Sequence, residues 1–244
     1  MQKDKSQAGV YVKNLLFQYP QNEPVLRSLS LTIQPGERVA LLGSTGTGKS
    51  TFMETLVGLK KPLSGEIWIQ GILLQQKTLS QVRSRIGFCF QNPDDQLFMP
   101  TILENITFGP LNYGLSLGAA KEIADNLLVK FGLEKYANRS VYELSGGQKR
   151  LAALAAVLAL KPEILILDEP TNGLDPLWRR NLAEIILRLP VQIILIASHD
   201  LNWVSKVTER ALILQCGQIQ VDDSIQNLLR DTSILECYGL PIDY

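Results

Sequence analysis

The 244 residues are enough for one large domain or two small ones, and 45% of them are hydrophobic, as in an ordinary globular protein. Lysine plus arginine and aspartate plus glutamate each total 24, so the chain lacks the basic excess typical of nucleic-acid-binding proteins. The polar N-terminus has no apolar core of a signal peptide, and the most apolar long run, Leu151–Leu160, is too short to cross a bilayer. We therefore expect a soluble, cytoplasmic protein that binds no nucleic acid.

Strand-like and helix-like patterns alternate along the chain. Strands are predicted at VYVKNLLFQY, SLSLTIQPGERVALLG (interrupted by a turn at Pro35-Gly36), GEIWIQGILL, IGFCF, EILILDE, VQIILIAS, RALILQ and GQIQVD. Helical spacing predicts helices at KSTFMETLVGL, AAKEIADNLLVKFGL, Gly146 to Leu160, LWRRNLAEIILRL and a short C-terminal segment.

This alternation predicts an α/β fold. All-apolar strands that alternate with helices are typical of a parallel sheet covered on both faces. The pattern is mainly helical from about residue 92 to 162, which predicts a helical subdomain inserted into that frame. We expect a single domain over 1–244, with a core at about 10–91 and 163–222 and a short helical extension at 223–244.

A glycine-rich segment between a predicted strand and a predicted helix has the spacing of a phosphate-binding loop. It consists of Gly43, Ser44, Thr45, Gly46, Thr47, Gly48, Lys49 and Ser50. Glycines let backbone N–H groups curl around a polyphosphate, and the next helix directs its N-terminal dipole at the anion. Lys49 would reach the β- and γ-phosphates, Ser50 would ligate Mg²⁺, and we assign Thr51 to nucleotide binding as well. The strand-loop-helix context argues against a plain glycine-rich turn.

Two carboxylates, Asp168 and Glu169, end the apolar strand EILILDE. Adjacent acids after a strand are often only a turn or a helix start. With a phosphate loop about 120 residues upstream, Asp168 is placed to hold Mg²⁺ and Glu169 to polarise a water for in-line attack.

The segment LSGGQ predicts a second anion-binding helix start. Ser145 is a good helix N-cap, and Gly146 and Gly147 leave the first-turn amides accessible before Gln148. One ATP has no use for both helix starts within one molecule, since they lie on separate subdomains. The segment therefore predicts a head-to-tail dimer in which this helix closes on ATP bound by the other chain.

With these motifs in this order, the sequence resembles the ATP-binding subunits of ABC transporters from about residue 10 to 222. The resemblance implies a P-loop NTPase with a RecA-like core, an N-terminal antiparallel β part and an inserted α-helical subdomain. It implies ATP hydrolysis with Mg²⁺ as cofactor. In family terms Gly43–Ser50 is the Walker A loop, Ile164–Glu169 the Walker B strand and Leu144–Gln148 the signature.

The resemblance also implies roles for residues that the motifs above leave unassigned. Gln91 matches the glutamine that senses Mg²⁺, water and γ-phosphate, and Asp175 in NGLDP matches the residue that reaches across the dimer. His199, the only histidine, matches the switch histidine at the γ-phosphate, although a lone histidine is usually structural. Tyr19 in FQYP matches the aromatic that stacks on adenine, with Phe17 as the alternative.

The segment QNPDDQLF, followed by ENITFGPLNYGLS, resembles the ATPases of energy-coupling-factor importers, including the cobalt/nickel type. Such importers combine two ATPase subunits, identical or related, with a transmembrane coupling protein and a small substrate-binding membrane protein. The resemblance implies a peripheral place on the cytoplasmic face of the membrane and import of a transition-metal ion or a vitamin. The alternatives are another ABC importer or a soluble ABC ATPase outside transport.

The two adjacent acids in QNPDDQLF, Asp94 and Asp95, make a poor transition-metal site without histidine or cysteine nearby. We expect them to form a polar rim around Leu97 and Phe98 that receives a helix of a membrane partner. An ordinary capped helix start is the alternative.

Overall fold

The computed structural model describes residues 8–240. Its strands are β1 (Val10–Gln18), β2 (Pro24–Ile33), β3 (Arg38–Leu42), β4 (Ser64–Ile69), β5 (Ile72–Leu73), β6 (Ile86–Cys89), β7 (Ile164–Asp168), β8 (Ile193–Ala197), β9 (Arg210–Gln215) and β10 (Gln218–Ser224). Its α-helices are α1 (Lys49–Leu56), α2 (Leu79–Arg83), α3 (Ile102–Asn112), α4 (Leu117–Phe131), α5 (Gly146–Leu158), α6 (Pro176–Leu187), α7 (Leu201–Val204), α8 (Ile225–Arg230) and α9 (Thr232–Cys237).

The described strands form a larger, mostly parallel sheet and a smaller antiparallel one. The larger sheet has the order β10-β9-β3-β8-β7-β6, in which only β10 runs antiparallel to its neighbour. The smaller sheet has the order β2-β1-β4-β5. The predicted parallel sheet and N-terminal antiparallel part are both present.

The larger sheet separates two hydrophobic cores because successive strand side chains point to opposite faces. In β7, Ile164 and Ile166 pack with the antiparallel sheet and α1, whereas Leu165 and Leu167 pack with the helices that follow β6 and β7. Every residue of β7 is buried. A strand buried on both faces needs a continuous apolar run, which is what EILILDE supplies before its acids.

The parallel strands place the chemistry at one edge of the sheet. The carboxyl ends of β3, β6, β7 and β8 lead into the phosphate loop, Gln91, Asp168–Glu169 and His199 respectively. Ligands of open α/β sheets bind outside the carboxyl ends of the strands. The sheet therefore gathers segments that are far apart in sequence.

Two helical segments differ from the sequence prediction. Helix α3 is absent from that prediction, because Gly109 and Pro110 interrupt its helical pattern; Pro110 lies inside the helix, and a Thr101–Glu104 capping box fixes its start. The single C-terminal helix predicted is instead two short helices, α8 and α9. Asp231 separates them and caps α9 by accepting a hydrogen bond from the Ile234 N–H.

Candidate active site

The phosphate loop between β3 and α1 needs glycine at positions where no other residue fits. Gly43 has φ 146°, and a Cβ built there would lie 2.5 Å from the Leu214 carbonyl oxygen. Gly48 has φ 102° and forms the left-handed N-cap of α1. The left-handed region is costly for residues with a side chain, so these two glycines fix the path of the loop.

Lys49 is buried and folded back onto the loop that carries it. Its Nζ donates to the carbonyl oxygens of Gly43, at 2.7 Å, and Ser44, at 3.0 Å. Burial lowers the pKa of Lys49, and the nearby carboxylates of Glu169 and Asp168 partly offset this. The ammonium therefore lies near the two acids, and its hydrogen-bond partners among residues 8–240 are the two loop carbonyls, which a polyphosphate can replace.

An open cleft of about 330 Å³ lies over this loop. It is lined by Tyr19, Val25, Thr45, Gly46, Gly48, Lys49, Ser50, Thr51, Gln91, Asp168, Glu169, Asn172 and His199. The structure thus brings most of the predicted nucleotide, Mg²⁺ and catalytic residues to one surface. Gly43, Ser44 and Thr47 shape the loop from outside the cleft wall. Thr47 Oγ1 donates to the Ser44 carbonyl at 2.9 Å.

Sequence reasoning missed two residues of this cleft, Val25 and Asn172. Asn172 belongs to the turn after β7, three residues past Glu169. Its closeness in sequence to that acid could have indicated that it lines the cleft. Val25 lies near the start of β2, and nothing in its local sequence indicates a ligand-binding role.

Asp168 is buried, and its Oδ1 has no hydrogen-bond partner within the described chain. Burial raises the pKa of this carboxyl, while a hydrogen bond with Ser50 lowers it. A buried carboxylate oxygen without a partner, next to a hydroxyl, matches the oxygen donors that Mg²⁺ prefers. Asp168 and Ser50, two of the residues predicted as magnesium ligands, therefore fit the ion.

Asp168→Asn is expected to stabilise the protein at neutral pH. Because folding raises the pKa of Asp168, its ionised form opposes folding above that pKa, and the opposition fades as the pH falls. Removing the buried charge should raise the free energy of unfolding by about 1 kcal/mol and the temperature of the unfolding midpoint by about 2–4 °C. Thermal unfolding by circular dichroism measures this, with the exposed Asp125→Asn as the matched control; a lowered midpoint would contradict it.

Glu169 and His199 are paired across the cleft. Glu169 Oε2 lies 2.8 Å from His199 Nδ1 and accepts the His199 backbone N–H at 3.3 Å. Glu169 is 7% exposed and has a left-handed backbone, φ 44°, which is unusual for a residue with a side chain. Its N–H donates to the Ala197 carbonyl at 2.9 Å. Such strain persists only where neighbouring contacts hold it, and it is typical of functional positions.

Tyr19, rather than Phe17, faces the cleft. Phe17 is buried in the core and contacts Tyr19 edge to face at a ring-centroid distance of 4.9 Å. The Tyr19 hydroxyl lies 3.1 Å from Thr51 Oγ1, and Lys60 Nζ lies 5.2 Å from the ring centroid. Of the two aromatic side chains that the sequence left open, only Tyr19 is available to a base in the cleft.

The signature residues lie outside the cleft of their own chain. Ser145 caps α5 in a reciprocal capping box with Gln148, whose Oε1 accepts the Ser145 N–H at 2.9 Å. Ser145 and Gly146 line none of that cleft, and Gly147 packs against Trp178 so closely that a Cβ there would lie 3.1 Å from the indole. Asp175 caps α6 and is exposed. The start of α5 is therefore accessible to a ligand that is bound outside this chain's own cleft.

The expected polar rim around Leu97 and Phe98 differs in the structure. Leu97 is buried in the core and cannot line a docking groove. Asp94 pairs with Lys149 of α5, with Oδ1 and Nζ 2.6 Å apart. Phe98 remains 64% exposed and contacts Phe108 edge to face at 4.7 Å. The correction has a physical reason: residues 93–95 form a single 3-10 turn, which turns Leu97 inward and leaves Phe98 outside.

A protein-family model for the ABC transporter domain matches residues 26–172, more than half of the chain. The chain belongs to the ABC transporter family. The matched region includes the phosphate loop, Gln91, the signature, Asp168 at the end of β7 and Glu169 directly after it. The chain is thus an ABC-type ATP hydrolase and the ATP-binding subunit of an ABC transporter, and the predicted family and fold are confirmed.

Individual relatives place the chain more closely within the ABC family. It is 39% identical to the energy-coupling factor transporter ATP-binding protein EcfA of Methanothermobacter thermautotrophicus, over 93% of this chain and 74% of EcfA. CbiO1 of Clostridium perfringens, part of the ABC transporter complex CbiONQ, superposes with a TM-score of 0.83 at 29% identity, over 97% of this chain and 96% of CbiO1.

A second solved structure is the dimeric ATP-binding cassette MJ0796 in a post-hydrolysis state with ADP and Pi. It superposes with a TM-score of 0.81 at 30% identity, over 88% of this chain and 98% of the cassette. Within residues 8–240, no helix combines the length and the apolar character that a membrane span requires.

Proposed function

We propose that this ABC ATPase powers an energy-coupling-factor-type membrane importer, whose cargo is a transition-metal ion such as cobalt or nickel, or a vitamin. The observation that carries the proposal is the similarity to EcfA and CbiO1 over nearly the whole chain. The protein would act peripherally on the cytoplasmic face of the membrane. A transmembrane coupling protein and a small substrate-binding membrane protein would be its partners.

In the proposed mechanism, the cleft binds ATP by its base and by its phosphates. Tyr19 stacks on adenine, and Lys49 exchanges the Gly43 and Ser44 carbonyls for phosphate oxygens. Glu169 orients the attacking water, while His199 and Gln91 contact the γ-phosphate. Catalysis then rests on positioning and on charge stabilisation.

The Mg²⁺ that such chemistry uses would be held by Ser50 and Asp168, with Gln91 nearby. When bound, the ion neutralises charge that develops on the phosphoryl oxygens. The supporting observation in this chain is the unpartnered Asp168 Oδ1 beside the Ser50 hydroxyl.

Each cleft would be completed by a second ATPase subunit, a copy of this chain or a related one. The helix start at Ser145–Gln148 would close on the γ-phosphate in the partner's cleft, and Asp175 would reach across the same interface. The dimeric form of MJ0796 supports this arrangement.

We also propose that residues 92–162 move as a helical subdomain against a core of 10–91 and 163–222, with 223–244 as a short C-terminal helical extension. The membrane partner would contact this subdomain through the exposed rings of Phe98 and Phe108 on its surface. Apolar rings at the centre of an interface commonly dominate its binding energy.

The test is affinity purification of the tagged full chain from its native membrane. Co-purification of an integral membrane coupling protein and a small substrate-binding protein is expected, and the identity of the latter reports the cargo. If the chain never co-purifies with integral membrane proteins, it acts outside transport as a soluble ABC ATPase. Recovery with membrane proteins of another importer type would contradict the energy-coupling-factor assignment.

Phe98→Asp is expected to reduce this co-purification by about 10-fold or more, because it places a charge among buried apolar contacts. ATP hydrolysis by the isolated chain should stay within about 2-fold of wild type, since Phe98 lies outside the cleft. Val129→Asp, at a residue of α4 with 63% exposure, is the matched control. Equal recovery of membrane partners by Phe98→Asp and wild type would contradict the docking surface.

A further inference from the structure

Arg150 on α5 donates to two segments of the cleft wall without lining the cleft. Its Nη2 donates to the Gln91 carbonyl at 2.9 Å and to the Asn172 carbonyl at 3.2 Å. Gln91 follows β6, and Asn172 follows β7. One guanidinium nitrogen therefore joins two loops of the cleft to a helix that neither loop belongs to.

The hydrogen bonding of this guanidinium is incomplete. Nε is buried without a hydrogen-bond partner in the described chain. Burial lowers the pKa of Arg150, and Asp168 and Glu169 are among the groups that raise it. A half-buried guanidinium with a buried, unpaired Nε is unfavourable for folding, so its presence points to another role.

The contact at Asn172 lies on the turn that positions Glu169. The Asn172 N–H donates to the Glu169 carbonyl at 3.2 Å, and the Leu174 N–H donates to the Thr171 carbonyl at 3.1 Å. This turn holds Glu169 in its left-handed backbone, φ 44°. A tether on the Asn172 carbonyl therefore restrains the turn that sets the direction of the Glu169 side chain.

The contact at Gln91 belongs to a larger attachment between α5 and the segment after β6. Asp94 pairs with Lys149, and Gln96 Nε2 donates to the Ala153 carbonyl at 2.9 Å. These links hold the segment to α5 independently of Arg150. By contrast, among the hydrogen bonds of the described residues, it is Arg150 that links the Asn172 turn to α5.

Ser145 caps α5, and Arg150 lies on the same helix, about 7.5 Å further along its axis. We propose that Arg150 is a positioning residue that couples the Ser145 end of α5 to the turn carrying Glu169. When Ser145 engages the nucleotide of a partner subunit, the shift of α5 would reach Glu169 in this chain's own cleft. Hydrolysis in one cleft would thereby depend on the occupancy of the other. The inference rests on the proposed roles of Ser145 and Glu169.

Two variants separate this coupling from packing. Arg150→Met keeps most of the apolar side chain and removes its hydrogen-bond donors. Arg150→Lys keeps a positively charged donor on a shorter side chain. We expect kcat for ATP hydrolysis by the full chain to fall on the order of 10- to 100-fold in Arg150→Met, with KM changed less than about 3-fold. Partial rescue is expected in Arg150→Lys. A role in packing alone predicts the reverse order, with Met tolerated better than Lys.

Native-state hydrogen exchange tests the tether independently of catalysis. In Arg150→Met the Asn172 and Leu174 amides should exchange about 10-fold faster, and in Arg150→Lys the increase should be smaller, with no change in either variant at β8 amides such as Ile194. If Arg150→Met does not fold, Arg150→Lys is read alone. Wild-type exchange at both amides would overturn the tether. Faster exchange with wild-type kcat would overturn the link to Glu169 while leaving the tether intact.

Arg180→Met is the matched control, because Arg180 is exposed on α6 and pairs only with Glu184 among the contacts described. It should behave as wild type in both measurements. A fall in kcat as large as that of Arg150→Met would mean that loss of any arginine near the interface is enough, and would overturn the specific role of Arg150.

Discussion

Glu169→Gln is expected to lower ATP turnover on the order of 10²- to 10⁴-fold while leaving nucleotide binding nearly intact. The substituted amide would keep the size of the side chain but could not accept a proton from the attacking water. The distance between Glu169 and His199 would still allow one hydrogen bond after the substitution, so the cleft should keep its shape. In the presence of MgATP the variant should accumulate as a closed dimer.

Turnover is measured by phosphate release and assembly by analytical ultracentrifugation with and without MgATP. Glu163→Gln is the control, because Glu163 precedes the same strand but lies at its opposite end, outside the cleft. Undiminished turnover in Glu169→Gln would remove Glu169 from the catalytic role.

Lys49→Met should weaken ATP binding by about 100-fold. A charge-assisted hydrogen bond contributes about 1.5–3 kcal/mol to the free energy of binding. Lys49 is the lysine in the cleft wall, where its ammonium can bind a phosphate oxygen. Methionine keeps the apolar stem that is buried in the loop. The variant also loses the hydrogen bonds to Gly43 and Ser44, so its empty loop should be less ordered.

Isothermal titration calorimetry with ATP measures this affinity in Lys49→Met. The control is Lys206→Met, which removes an exposed lysine distant in sequence from the loop. An affinity within about 3-fold of wild type for Lys49→Met would show that the loop amides alone bind the phosphates, contrary to the role assigned here.

The fold and the centre of the cleft were predictable because their signals are local. A strand, a glycine loop and a helix in succession specify the phosphate site, and EILILDE specifies a buried strand that ends in acids. Each functional group then follows the carboxyl end of a parallel strand, and the sheet brings those ends together. Lys49, Asp168 and Glu169 thus meet without any further information.

Contacts between distant segments could not be predicted in the same way. Asp94 looked like a surface acid because its partner, Lys149, is 55 residues away and no periodicity connects them. Leu97 looked exposed because the turn at residues 93–95 reverses the direction of the side chains that follow. Helix α3 was not predicted because Pro110 interrupts its helical pattern, although the Thr101–Glu104 capping box that starts it can be recognised in the sequence.

In the proposed dimer, each active cleft combines the phosphate loop of one subunit with the Ser145 helix of another. Mixing copies that carry Lys49→Met with copies that carry Ser145→Arg tests this arrangement. Each variant alone should be inactive, whereas a mixed dimer would contain one cleft with both substitutions and one intact cleft. We predict that an equal mixture recovers measurable ATP turnover, up to about a quarter of wild type, since half of its dimers would hold one intact cleft of two. Coupling between the clefts would place the recovery below that upper bound. A mixture that forms mixed dimers and yet shows no more turnover than the two variants apart would contradict this arrangement.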